Sequence, residues 1–106
     1  MRLPDLSERE CQRQYTDVLE LCGYEWYHPQ LSIYSKRGWP DIAAVRPYDK
    51  LVLLELKKEH GQPSIDQCRW LEMLQTVERV ETYLARPSDL DEIVETLRRR
   101  QNEPKR

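Results

Sequence analysis

The sequence predicts an α/β fold in which helices pack on one mixed β-sheet, in the order α-β-β-β-α-β-α. Three observations predict it. Residues 7–22, 64–77 and 88–97 repeat apolar side chains at helical spacing. Residues 42–45 and 51–57 read as short buried strands on either side of the turn-forming Arg46-Pro47-Tyr48-Asp49-Lys50. A further apolar run, Val80–Ala85, returns the chain to the sheet after the middle helix.

The first helix begins at Ser7, a good N-cap, with Glu8 and Glu10 in the turn where the helix dipole favours acids. Cys11, Tyr15, Val18, Leu19 and Cys22 form its apolar stripe, and Gly23 ends it. Residues 24–34 are aromatic and mixed, and predict a short strand, a loop around Pro29 and a second piece of strand. Residues 35–40 form a polar turn. After residue 57, Gly61-Gln62-Pro63-Ser64 breaks the chain, and Ser64 can cap a helix with Ile65, Cys68, Leu71, Leu74 and Val77 on one face. Pro87 ends the last strand. Ser88-Asp89-Leu90-Asp91 resembles a capping box for a final helix with the stripe Leu90, Ile93, Val94 and Leu97. The 106 residues fit a single domain spanning 1–106, with a core over 7–97 and a charged, fraying tail over 98–106.

No apolar run approaches the roughly 20 residues that cross a bilayer, and the opening Met-Arg-Leu-Pro-Asp lacks the apolar stretch of a signal peptide. Cys11 and Cys22 would stand ~16 Å apart on a straight helix, too far to bridge. The three cysteines form no zinc-like spacing, and all three read as buried thiols in a reducing compartment. The net charge of −2 does not advertise a nucleic-acid partner, but its distribution does. Residues 33–58 carry six Lys/Arg against three acids, and the remainder carries eleven against sixteen. A polyanion is drawn to the middle of the chain.

That middle also holds the chemistry. In Leu51–Lys58, Val52, Leu54 and Leu56 keep one strand face apolar, while the other switches from Leu51 and Leu53 to Glu55 and Lys57. If the hairpin pairs residues 42–45 with this strand, Asp41 lands near Glu55. Two carboxylates brought together repel unless a positive charge lies between them. A hard divalent cation such as Mg²⁺ suits the pair, and with Lys57 beside it the set has the parts for phosphodiester hydrolysis. Each residue alone has a plainer explanation: Glu55 and Lys57 as a solvated strand end, Asp41 as a turn residue after proline.

Gly38-Trp39-Pro40-Asp41 followed by Glu55-Leu56-Lys57 resembles the PD-(D/E)XK nuclease superfamily, and more closely its VRR-NUC (virus-type replication-repair nuclease) family. The ordered strings SERECQRQ, GWPDIAAV, LLELKKEHG, SIDQCRWLEML and RPSDLDEI carry the resemblance from Ser7 to about Leu97. It implies a restriction-endonuclease-like core and a Mg²⁺- or Mn²⁺-dependent DNA endonuclease. By the same resemblance, Asp41, Glu55 and the backbone carbonyl of Leu56 are metal ligands and Lys57 is the catalytic lysine. Glu8, with Glu10 as the alternative, is a helix-one acid at the metal, and Gln67 orients a water or phosphate. Gln12, His28, Lys36, Arg37 and Lys58 are candidate DNA contacts. The likeness further implies structure-selective cutting of Holliday junctions or flaps by a homodimer, in the cytoplasm of a bacterial or phage-infected cell. Two departures stand out: Trp39 replaces a smaller apolar residue, and Thr76-Val77-Glu78-Arg79 lacks the usual glycine before Val80. The rival from another class is a catalytically silent DNA-binding or adaptor module.

Overall fold

The computed structural model describes residues 7–29 and 37–101. The elements are α1 (Glu8–Leu21), β1 (Glu25–Tyr27), β2 (Ile42–Arg46), β3 (Lys50–Leu56), α2 (Ile65–Gln75), β4 (Val80–Ala85) and α3 (Leu90–Arg98), with a 3₁₀ turn at Pro87–Asp89. Their order is the one the sequence predicts. The strands form one sheet, β1-β2-β3-β4. β1–β2 and β2–β3 are antiparallel and β3–β4 is parallel, with α2 in the crossover.

The first helix starts as expected: Ser7 Oγ accepts the Glu10 amide at 3.1 Å. It ends in a Schellman motif, with Gly23 N on the Glu20 carbonyl, Tyr24 N on the Leu19 carbonyl, and Gly23 at φ +86°. α1 and α3 cover one face of the sheet. Cys11, Tyr15 and Leu19 of α1 and Ile93 and Leu97 of α3 close over Ile42, Ala44, Val52, Leu54 and Ala85. Among the described residues only α2 lies on the opposite face, chiefly against β4. Its capping box is complete, with the Gln67 amide on Ser64 Oγ and Ser64 N on Gln67 Oε1.

Several expectations change. Ile65 is 86% exposed and Val77, beyond the helix end, is also exposed, so the covered face of α2 shrinks to the half-buried Cys68, Leu71 and Leu74. A box at Ser88 does not form. The Asp89 carboxylate instead accepts the Arg86 amide across the 3₁₀ turn, and α3 has no side-chain cap. Of the cysteines only Cys11 is fully buried; Cys22 and Cys68 are half-buried. Fraying does not begin at Arg98, because Gln101 N donates to Asp49 at 2.8 Å and the Arg99 carbonyl accepts from Arg46 at 2.6 Å. The second strand piece expected after Pro29 lies outside the described residues.

Arg46 and Lys50 build the end of the sheet remote from Glu55. Lys50 is buried and donates to both Glu81 oxygens and to the Thr96 carbonyl. Tyr24 Oη donates to the Leu97 carbonyl at 2.9 Å. These groups satisfy the last carbonyls of α3, which have no partner within the helix.

Candidate active site

β3 carries Glu55 into the protein on the face that α2 covers, and the β2–β3 register, with Ile42 opposite Leu54, sets Asp41 across from it. Glu55 is only 2% exposed. Asp41 is fixed at two points. Its Oδ2 accepts the Leu56 amide at 2.8 Å, and its main-chain carbonyl accepts from His28 Nδ1 at 2.6 Å. A carbonyl only accepts, so Nδ1 of His28 carries the proton and Nε2 remains for another partner.

Glu55 Oε1 accepts from Gln67 Nε2 at 3.0 Å, while Oε2 is buried with no hydrogen-bond partner. Burial pushes the Glu55 carboxyl up to about 8, helped by the Asp41 carboxylate, with which only the protonated form can bond and whose negative charge disfavours a second; the Lys57 ammonium pulls the other way. At neutral pH the carboxyl keeps its proton unless another positive charge replaces it. An orphaned buried carboxylate oxygen beside a second carboxylate is a donor set that fits a hard divalent cation.

Lys57 follows the strand end, with its amide on the Ala85 carbonyl at 3.1 Å. The turn beyond it is held by Arg86, whose Nη1 donates to the carbonyls of Lys58, Glu59 and Gly61 at 2.8, 3.2 and 2.6 Å. Tyr15 Oη donates to the Arg86 carbonyl at 2.6 Å, which ties α1 to the same turn. Nothing in the sequence marks Arg86. It is one arginine before a proline, and its role emerges only once 58–61 turns back over it.

The structure brings Asp41, Glu55, Lys57, Gln67 and His28 together. Gln67 has its Oε1 on the helix cap and one Nε2–H on Glu55, so it holds the acid and keeps a second N–H to donate. Glu8 is exposed and lines a small pocket with Cys11, Leu56, Lys57, Lys58 and Pro87. It reaches the Lys57 side of the site, but among the described residues no three His, Cys, Asp or Glu side chains come together to hold a metal. Glu10 is also exposed, and its amide serves the helix cap. Gln12 is half-buried on α1; Arg37 and Lys58 are exposed. Lys36 lies outside the described residues.

The loop into Asp41 is pressed against α2. Gly38 has φ +86°, and a Cβ there would come within 2.4 Å of the Asp66 main chain. Trp70 Nε1 donates to the Arg37 carbonyl at 2.9 Å. This contact sets the distance between the strand bearing Asp41 and the helix bearing Gln67.

A mixed four-stranded sheet with α1 and α3 on one face and α2 on the other, and acids at the end of β3, has the restriction-endonuclease-like architecture. A solved structure described as a VRR_NUC domain shares it, at a TM-score of 0.67 over 83% of this chain and 94% of that one, with 21% identity. At that identity the likeness is one of fold. No family model matches the sequence, and no curated protein does either. No helix among the described residues is long and apolar enough to cross a membrane.

Proposed function

We propose that the chain is a divalent-metal-dependent DNA endonuclease of the VRR-NUC kind. One observation carries the reading: a buried Glu55 with an orphaned oxygen, paired with Asp41 and flanked by Lys57 at the end of β3. An ordinary strand end would leave such a carboxylate in water, because burying it unpaired is costly. Asp41, Glu55 and the Leu56 carbonyl would hold Mg²⁺ or Mn²⁺, with Glu8 as a further candidate ligand. When bound, the cation stabilises charge developing on a phosphate and eases formation of hydroxide at neutral pH.

The chain's own residues do the rest. The Leu56 amide points at Asp41, and a strand residue's N–H and C=O face the same neighbour, so the Leu56 carbonyl lies on the Asp41 side. Gln67 and His28 hold the two acids in place. Lys57 aids the attacking water or the charge that develops with it. Exposed Arg37 and Lys58, with Lys36, bind the phosphate backbone. The small domain reads DNA shape rather than sequence, and a two-fold homodimer in a bacterial or phage cytoplasm would present two sites to a junction or flap.

The test is a cleavage assay of the purified chain with Mg²⁺ or Mn²⁺ on duplex, single-stranded, flap and four-way-junction DNA. Cleavage that disappears with chelator and with Asp41→Ala is the expected result. DNA binding without cleavage of any substrate would favour the silent adaptor. Light scattering of the active protein decides the dimer.

A further inference from the structure

Two indoles lie beside the acid pair. Trp39 precedes Asp41 by two residues, and Trp70 follows Gln67 by three, on the same side of α2. Their ring centroids are 5.0 Å apart at 78°, an edge-to-face pair. Trp70 is pinned by its bond to the Arg37 carbonyl. Trp39, though braced on one side, is 39% exposed among the described residues.

Its surroundings are cationic. The Arg69 guanidinium lies 5.8 Å from the Trp70 ring centroid and is largely in solvent, with one long contact to Asp66 at 4.0 Å. Arg37, whose carbonyl holds Trp70, is exposed. An aromatic surface with two exposed arginines near it, beside acids suited to a phosphodiester, has the composition of a site for a base still attached to its backbone.

We propose that Trp39, braced by Trp70, is a stacking platform for one unpaired nucleobase next to the scissile phosphodiester. The preferred substrate class is then DNA with an unpaired nucleotide at the cleavage point. Arg37 and Arg69 hold the flanking phosphates. The proposal rests on Asp41 and Glu55 being the nuclease centre and adds what that centre selects. A fully stacked duplex cannot offer a base to Trp39 without the cost of unstacking it.

The test separates binding from cleavage. A single-stranded DNA oligonucleotide carrying 2-aminopurine is titrated with metal-free protein, beside the same sequence as a perfect duplex and as RNA. Wild type and Trp39→Phe should quench the single-stranded DNA. Trp39→Ala should bind it about 5- to 150-fold more weakly, the range for loss of one base–aromatic stack. The wild-type ratio of flap to duplex cleavage rates should fall in Trp39→Ala. If that variant does not fold, Arg69→Glu on the exposed helix surface should weaken single-stranded binding at least about threefold through lost charge attraction. Equal affinity for single strand and duplex, unchanged quenching in Trp39→Ala, an unchanged affinity in Arg69→Glu, or tighter binding of the RNA would overturn the proposal. Selective quenching without cleavage of any DNA would uphold the platform and remove the nuclease reading. Cleavage without preference for unpaired DNA would do the reverse.

Discussion

Replacing Glu55 with glutamine should make the metal-free protein more stable. The Glu55 carboxyl sits at about 8 in the folded protein against an ordinary 4.5, because burial and Asp41 both disfavour its charge. A folded-state value above the unfolded one gives stability that is fully present below pH 4.5 and lost as pH rises through 8. The loss accumulates at about 1.4 kcal/mol per pH unit. It is therefore below about 1 kcal/mol at pH 5 and about 3 kcal/mol at pH 7. Glutamine carries no charge at any of these pH values. Its oxygen can still accept from Gln67, and its amide can donate to Asp41.

Urea unfolding in chelator at pH 5, 7 and 9 measures the difference. Glu55→Gln and wild type should nearly coincide at pH 5 and separate progressively above it. At pH 7, ~3 kcal/mol corresponds to a melting temperature higher by about 10 °C or more for a domain of this size. Added Mg²⁺ should stabilise wild type and leave Glu55→Gln largely unmoved, because the cation replaces the proton. A constant gap from pH 5 to 9, or a Glu55→Gln protein less stable than wild type at pH 8, would refute the link between burial, the acid pair and the cation.

Lys57→Ala should keep metal affinity on calorimetric titration, since it removes a positive charge beside the acids, while single-turnover cleavage falls by roughly 10²-fold or more; Lys57→Arg should not restore it. Wild-type rates in Lys57→Ala would leave the acids as a structural metal site. Gly38→Ala should cost about 2–4 kcal/mol in urea unfolding, since it adds strain at positive φ to a backbone collision with Asp66 and overpacks the contact; stability unchanged within error would mean that this contact is loose. Arg79, in the Thr76-Val77-Glu78-Arg79 stretch that lacks a glycine, has φ +62°. Arg79→Gly should relieve about 1–2 kcal/mol of left-handed strain and return part of it as unfolded-chain entropy, for a net gain of about 0.5–1 kcal/mol; any loss of stability would show that the arginine side chain contributes more than its backbone costs.

The strand bearing the site was legible because Leu51–Leu54 is apolar on both faces and alternation sets in only where Glu55 and Lys57 take over one face. The same alternation places Asp41 opposite Glu55 once the hairpin closes. Helix starts at Ser7 and Ser64 were equally readable, since capping is local. Periodicity does not say what covers a face. Ile65 and Val77 belong to the apolar stripe of α2, yet both stay exposed among the described residues, because α2 meets the sheet mainly along β4. Nor does spacing reveal groups that act through the main chain. His28 holds the Asp41 carbonyl across thirteen positions, and Arg86 holds three carbonyls more than twenty positions away. Ser88 with Asp91 three residues on made the 3₁₀ turn look like an ordinary capping box.

The two ends of the sheet treat buried charge in opposite ways. At the Lys50 end every buried charge has a partner. Burial alone would raise the Asp49 carboxyl, but the Gln101 amide and the Arg46 guanidinium overcome it and hold the group below its ordinary range. The buried Lys50 ammonium meets Glu81 and a helix-end carbonyl. At the Glu55 end the sign is opposite: an acid is buried against another acid and one oxygen is left without a partner. Such an arrangement persists only if its surroundings are over-determined. Here Asp41 is held at its carboxylate and its carbonyl, Glu55 through a glutamine locked in a helix cap, and the turn after Lys57 by one arginine on three carbonyls. These fasteners prevent the acids from rotating apart into water. They keep in place an acid pair that destabilises the fold when both carboxyls are ionised, a cost that a bound cation would remove.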